Sequence, residues 1–94
     1  MLLVSFSPFL YQQLLDTIQK ENLHSFDIDA HVIKGNHHIE IEIYFGENFQ
    51  HVTKQSFPVK ILEERDQDYL NFCTKIGQTC KETMIQDYFK MMKL

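Results

Sequence analysis

Apolar residues recur along this chain with two different periods, and the changes of period divide it into three parts. In the first part Leu10, Leu14 and Ile18 repeat every four residues, with Leu15 beside them. Gln12, Gln13, Asp16, Gln19 and Lys20 fill the positions between. That spacing makes one apolar stripe on a helix. Ser7 is a good N-cap, and Pro8 falls at the first helical position, where no amide hydrogen is needed. The helix is predicted to end near Glu21 or Asn22.

The period then drops to two. Phe26, Ile28, Ala30 and Val32 alternate with Asp27, Asp29 and His31. Ile39, Ile41, Ile43 and Phe45 alternate with His38, Glu40, Glu42 and Tyr44. Alternation of this kind marks strands with one buried face. Gly35-Asn36 lies between the two runs and suits a type II′ hairpin turn. A two-residue loop there pairs Val32 with Ile39, Ala30 with Ile41, Ile28 with Ile43 and Phe26 with Phe45. Every apolar residue then shares a face with its partner, and a slip by one would destroy the match. After a second turn at Gly46-Glu47-Asn48, residues 49 to 57 read as an edge strand, with Pro58 tolerable only at an edge or past its end. Residues 59–62 fit either an extension of that strand or the next helix.

The last third returns to helical spacing. Asp66 and Asp68 favour a helix start, and Tyr69, Phe72, Cys73 and Ile76 form a stripe. Gly77 interrupts it, and Thr79-Cys80-Lys81-Glu82 has the form of a capping box. Met84, Ile85, Tyr88, Phe89 and Met92 centre roughly 100° away from the first stripe on a helical wheel. A stop at Gly77 and a new helix from Thr79 is predicted. The expected architecture is a single α+β domain over residues 1–94, with a three-stranded antiparallel sheet and helices packed on one face, in the order α-β-β-β-α-α.

Composition narrows the possibilities. Hydrophobic residues are 44% and charged residues 23%, both near globular averages, which excludes a disordered chain. No run of about 18 apolar residues exists to span a membrane. The short apolar start, Met1 to Phe6, lacks a basic leader and a cleavage site, so no signal peptide is expected. Cys73 and Cys80 would lie ~10 Å apart on one helix, too far for a disulfide. They read as reduced core thiols, in keeping with a cytoplasmic protein. Eight Lys against one Arg, with nine Ile and eight Phe, fit an AT-rich bacterial or phage genome.

The element order resembles that of double-stranded-RNA-binding domains, in order alone and across about residues 7 to 77. Those domains open their last helix with lysines that grip phosphate. Here Glu63-Glu64-Arg65-Asp66-Gln67-Asp68 carries one base and four acids, net −3, within a chain of net charge −4. That inverts the required charge and excludes nucleic acid as a partner.

No motif names a reaction. The three glycines are scattered, so no phosphate loop exists, and neither a Gly-x-Ser-x-Gly nor a His-Glu-x-x-His sequence is present. Cys73 lies in an apolar stripe, where a thiol is structural. His24, His37 and His51 are isolated near strand ends or turns. The predicted register sets His31 opposite Glu40 and Asp29 opposite Glu42, with His38 diagonal to Glu40. Imidazole and carboxylate together ligate zinc, manganese or iron. A solvated sheet face explains the same residues, so no metal, cofactor or catalytic residue is assigned.

The broad apolar face of the last helix is the other signal. It covers about half the circumference, more than one small sheet needs to bury. Ile85, Phe89 and Met92 are therefore the expected interface to a protein partner or to a second copy in a homodimer. The sequence thus reads as a small non-enzymatic cytosolic protein acting as an adaptor or regulator. The alternative is a metal-dependent or hydrolytic enzyme built on the His/carboxylate patch.

Overall fold

The computed structural model describes the backbone from residue 1 to residue 92 and side chains as far as residue 90. It contains a three-stranded antiparallel sheet in the order β1-β2-β3, with β1 at Ile28–Lys34, β2 at His38–Phe45 and β3 at His51–Pro58. Helix α1 (Leu3–Phe6) and helix α2 (Pro8–Gln19) precede the sheet, and helix α3 (Gln67–Met92) follows it. The α+β class and the three-stranded sheet match the sequence reading. Among the described residues no helix is long and apolar enough to cross a membrane.

Helix α2 begins as its sequence dictates. Ser7 Oγ accepts a hydrogen bond from the Leu10 N–H at 3.2 Å, and Pro8 occupies the first turn. The helix ends through Asn22, which takes the left-handed conformation at φ 61. The Leu23 N–H then reaches back to the Ile18 carbonyl at 3.2 Å, closing a Schellman-type stop. Leu10, Leu14 and Ile18 are wholly buried.

The apolar start of the chain has a structural role that its length conceals. Leu2 bridges antiparallel to His31, and the Val32 N–H donates to the Met1 carbonyl at 2.9 Å. The free edge of β1 is thereby covered at His31 and Val32, which shortens the stretch open to unwanted strand pairing. Leu3 reaches the core from α1.

The hairpin forms, in a register two residues away from the expected one. Ile28 pairs with Phe45, Ala30 with Ile43, Val32 with Ile41 and Lys34 with Ile39. The Gly35 N–H donates to the His38 carbonyl at 2.8 Å, so the turn centres on Asn36-His37 rather than on Gly35-Asn36. A shift of two preserves every in-or-out assignment, and the alternation could not distinguish the two registers. The shift also releases Phe26 from the sheet. It was expected opposite Phe45; instead it sits in a 3₁₀ turn, Ser25–Asp27, and is 75% exposed.

β3 is an edge strand that ends at Pro58. It starts later than predicted because Asn48 and Phe49, at φ 56 and 53, are in left-handed conformations that no strand accepts. Residues Val59–Leu62 form a 3₁₀ turn, which resolves their ambiguity and buries Ile61.

The predicted break at Gly77 does not occur. Helix α3 runs unbroken for 26 residues, about 39 Å at 1.5 Å per residue. Asp66 starts it, accepting the Tyr69 N–H at 3.1 Å on its side chain. Gly77 is buried where α2 approaches. A Cβ placed there would lie 3.4 Å from Glu21 Cγ and 3.7 Å from Ile18 Cα. The glycine marks a close helix–helix approach, and Thr79 is an interior residue rather than a cap. The apolar stripe changes direction because the helix outruns the domain beneath it. Tyr69, Phe72, Cys73, Ile76 and Cys80 are buried, whereas Met84, Ile85, Tyr88 and Phe89 are exposed.

The core is one cluster that joins the inner faces of the strands to α2 and the first half of α3. Phe57 meets Tyr69 and Phe72 edge-on, with ring centroids 5.5 and 5.3 Å away. The Tyr69 hydroxyl donates to the Leu10 carbonyl at 2.7 Å, tying α3 to α2.

Candidate protein-docking surface

The His/carboxylate patch predicted on the sheet is rearranged by the observed register. His31 faces Glu42, and Asp29 faces Tyr44. Glu40 lies between Ile33 and Ser56, and His38 pairs with Pro58 at the far end of β2. His31 Nε2 is 2.9 Å from Asp29 Oδ2, and the Tyr44 ring stands edge-on to the imidazole at 5.6 Å. Lys54 on β3 is the register partner of Glu42, whose carboxylate accepts the Tyr44 hydroxyl at 3.5 Å. Among the described residues no three His, Cys, Asp or Glu side chains are grouped to hold a metal.

The two thiols are free and buried. Burial pushes the Cys73 thiol up to about 12 and the Cys80 thiol up to about 11, both from 9.0. Neutral thiols at physiological pH are poor nucleophiles. The remaining histidines serve local structure or solvent. The His24 N–H donates to Asp27 Oδ2 at 2.7 Å, His51 stacks on Phe45 at 5.5 Å, and His37 is exposed in the hairpin turn.

The second half of α3 is different in kind. Ile85 is 47% exposed, Tyr88 60% and Phe89 59%, and Met84 is 39% exposed. Ile85 and Phe89, the residues that the sequence singles out, are thus on the surface of the monomer. Met92 lies in α3, but its side chain is outside the described residues. Two grooves flank a ridge formed by Met84 and Tyr88. One, of about 420 Å³, runs beside Leu23, Ile85 and Phe89. The other, of about 300 Å³, lies between α3 and the loops on either side of the hairpin, and Phe26 and Phe49 line it.

Local backbone chemistry displays those two phenylalanines. The Asp27 N–H donates to the His24 carbonyl at 3.0 Å, and Asp27 accepts the His24 N–H in return, which closes the turn that carries Phe26. His24 stacks on the Phe26 ring at 5.3 Å. Gly46, at φ 82, begins the loop that carries Phe49, and the Phe49 N–H donates to the Gly46 carbonyl at 3.0 Å. The Glu47 N–H donates to Asp87 Oδ2 at 3.3 Å and fastens this loop to α3. Phe49 itself is held at φ 53, a conformation that bulky residues rarely adopt.

Six large apolar side chains therefore meet on one side of the molecule: Phe26, Phe49, Met84, Ile85, Tyr88 and Phe89. At about 200 Å² per side chain they leave roughly 600 Å² open, the upper end for the largest patch on a monomer. The helical half of this surface was readable from periodicity. Phe26 and Phe49 were not, because both sit within alternating runs and read as strand residues. The turn chemistry of Gly46-Glu47-Asn48 was the signal that Phe49 belonged to a loop. No family model, curated protein or solved structure was found to match this chain.

Proposed function

We propose that this protein is non-enzymatic and acts by binding another protein, as an adaptor or regulator, through the outer face of the second half of α3. One observation carries the reading: four large apolar residues of one helix stand exposed and continuous with two exposed phenylalanines from separate loops. Isolated apolar residues on a surface are ordinary, but a contiguous patch of this size with polar residues at its edge is characteristic of protein interfaces. Buried, neutral thiols and the dispersed His/carboxylate residues support a non-catalytic role. A cytoplasmic location belongs to the same proposal and is supported by two cysteines kept free and buried. Nucleic acid is not expected as a partner, given the net charge of −4.

The test is to place a photo-crosslinking residue at position 89 in cells, identify what is captured, and reconstitute the pair from purified proteins. Phe89→Asp is expected to weaken the reconstituted complex by at least about thirtyfold, as truncation of a central aromatic does. An unchanged affinity with both Phe89→Asp and Ile85→Asp removes the proposal. Light scattering over a range of concentrations tests self-association: a dimer abolished by Phe89→Asp identifies the second copy as the partner, and a monomer at every concentration excludes it.

A further inference from the structure

The cleft between α3 and the two loops has a chemistry that narrows what the partner presents. We propose that it receives a lysine or arginine side chain of a different protein, carried on an apolar segment that lies along α3. This deepens the docking reading above and rests on it.

Three rings, from Phe26, Phe49 and Tyr88, line a cavity of about 300 Å³. The faces of aromatic rings are electron-rich and attract ammonium and guanidinium groups. The charged residues that line the same cavity are Asp27, Glu47 and Asp87, all acidic. Neither ion pair found among the described residues involves any of the three. Asp27 and Asp87 each accept one backbone N–H, which leaves each carboxylate oxygen set with free lone pairs. The cleft is therefore lined by aromatic rings and by carboxylates, and no cation lines it among the described residues.

Each alternative occupant meets a specific cost. A purely apolar segment would strip water from three carboxylates and return no partner to them. An acidic segment would be repelled. A second copy whose two-fold axis passed through the cleft would bring Asp27, Glu47 and Asp87 against their own images. A long basic side chain satisfies both parts of the site, since its methylene stem lies on the rings while its charged head reaches the carboxylates.

The probes are two labelled amphipathic helical peptides with the same leucine positions, one with lysine and one with glutamate at the polar positions. Fluorescence anisotropy with the full chain at physiological ionic strength reads their affinities. The leucine–lysine peptide is expected to bind at least about tenfold more tightly than the leucine–glutamate peptide. Tyr88→Ala, at a residue 60% exposed and so safe for folding, is expected to weaken the lysine peptide about fivefold to tenfold. The pair Glu47→Gln and Asp87→Asn is expected to do the same, while Asp68→Asn, which removes a charge at the opposite end of α3, leaves affinity unchanged. Equal loss with Asp68→Asn overturns the inference, because diffuse net charge would then explain the binding. Equal affinity for both peptides overturns it too, and leaves docking on α3 standing. Binding of neither peptide by a folded protein also overturns it; the docking reading itself falls only if both Phe89→Asp and Ile85→Asp leave the affinity for a reconstituted partner unchanged.

Discussion

Replacing Gly77 with alanine separates the two descriptions of the C-terminal third. If the chain broke at this glycine, as the shift of the apolar stripe implies, alanine would be neutral or harmful. In the continuous helix it is expected to stabilise. Gly77 is ten residues inside α3 and is not among the glycines with positive φ, so its backbone already suits alanine. A Cβ there would meet Glu21 Cγ at 3.4 Å, Ile18 Cα at 3.7 Å and Ile18 Cγ2 at 3.8 Å, all ordinary contacts. Glycine in a helix interior costs about 0.8–1 kcal/mol relative to alanine, chiefly through the backbone freedom that it loses on folding. The added methyl contributes a little more by burial, and a small adjustment of the Glu21 side chain takes some of it back. The expected net gain is about 1 kcal/mol, or a rise in Tm of about 4–8 °C for a domain of this size. Urea unfolding followed by circular dichroism measures it, and the slope with denaturant should not change. A loss of more than about 1 kcal/mol would refute the reasoning, since α2 and α3 would then have no room for a methyl group.

The same substitution at Gly46 is expected to have the opposite sign. Gly46 is at φ 82, and a Cβ would fall 2.5 Å from His51 Cδ2, so Gly46→Ala should cost about 1–2 kcal/mol and lower Tm. Stability should also decline in alkali. Unfolded thiols ionise near 9.0, while Cys73 and Cys80 keep their protons to about 12 and 11, so the unfolded state holds fewer protons across that window and is favoured as pH rises. The thiols should cost no stability below about pH 8 and an increasing amount beyond about 9, so Cys73→Ala with Cys80→Ala should reduce the alkaline fall in Tm; a slope unaffected by the double substitution would contradict it. Phe89→Asp, at a position 59% exposed, should change monomer stability by less than about 0.5 kcal/mol, so that any loss of binding reports the surface and not the fold.

The first long helix, the three strands and the start of the last helix were legible in the sequence because they depend on neighbouring residues. Ser7-Pro8 and Asp66 start their helices through hydrogen bonds and dihedral angles set within one turn. Alternation assigned Phe26, Ile28, Ala30, Val32, Ile39, Ile41, Ile43 and Phe45 to the buried face, and all but Phe26 are buried. The exposed surface was half legible. Periodicity marks one side of α3 as apolar, and its excess width pointed to Ile85 and Phe89. The turn residues Gly46-Glu47-Asn48 hinted that Phe49 belongs to a loop, but nothing local could bring Phe26 and Phe49 to that surface, which they reach from other parts of the chain.

Tertiary structure alone decided the rest, and each case has a reason. A two-residue shift leaves a period-two pattern unchanged, so the hairpin register was set by the turn at Asn36-His37 and by the contacts that follow. The apolar start of the chain was assigned no element, because the strand edge that it covers is supplied by β1, more than twenty residues away. Gly77 looked like a stop because glycine is a poor helix former, and its buried place against Ile18 is visible only once α2 lies across α3. Helical spacing says which side of a helix is apolar; whether the domain extends far enough to bury that side is settled by how many residues lie beneath it, and beyond Cys80 the domain ends before the helix does.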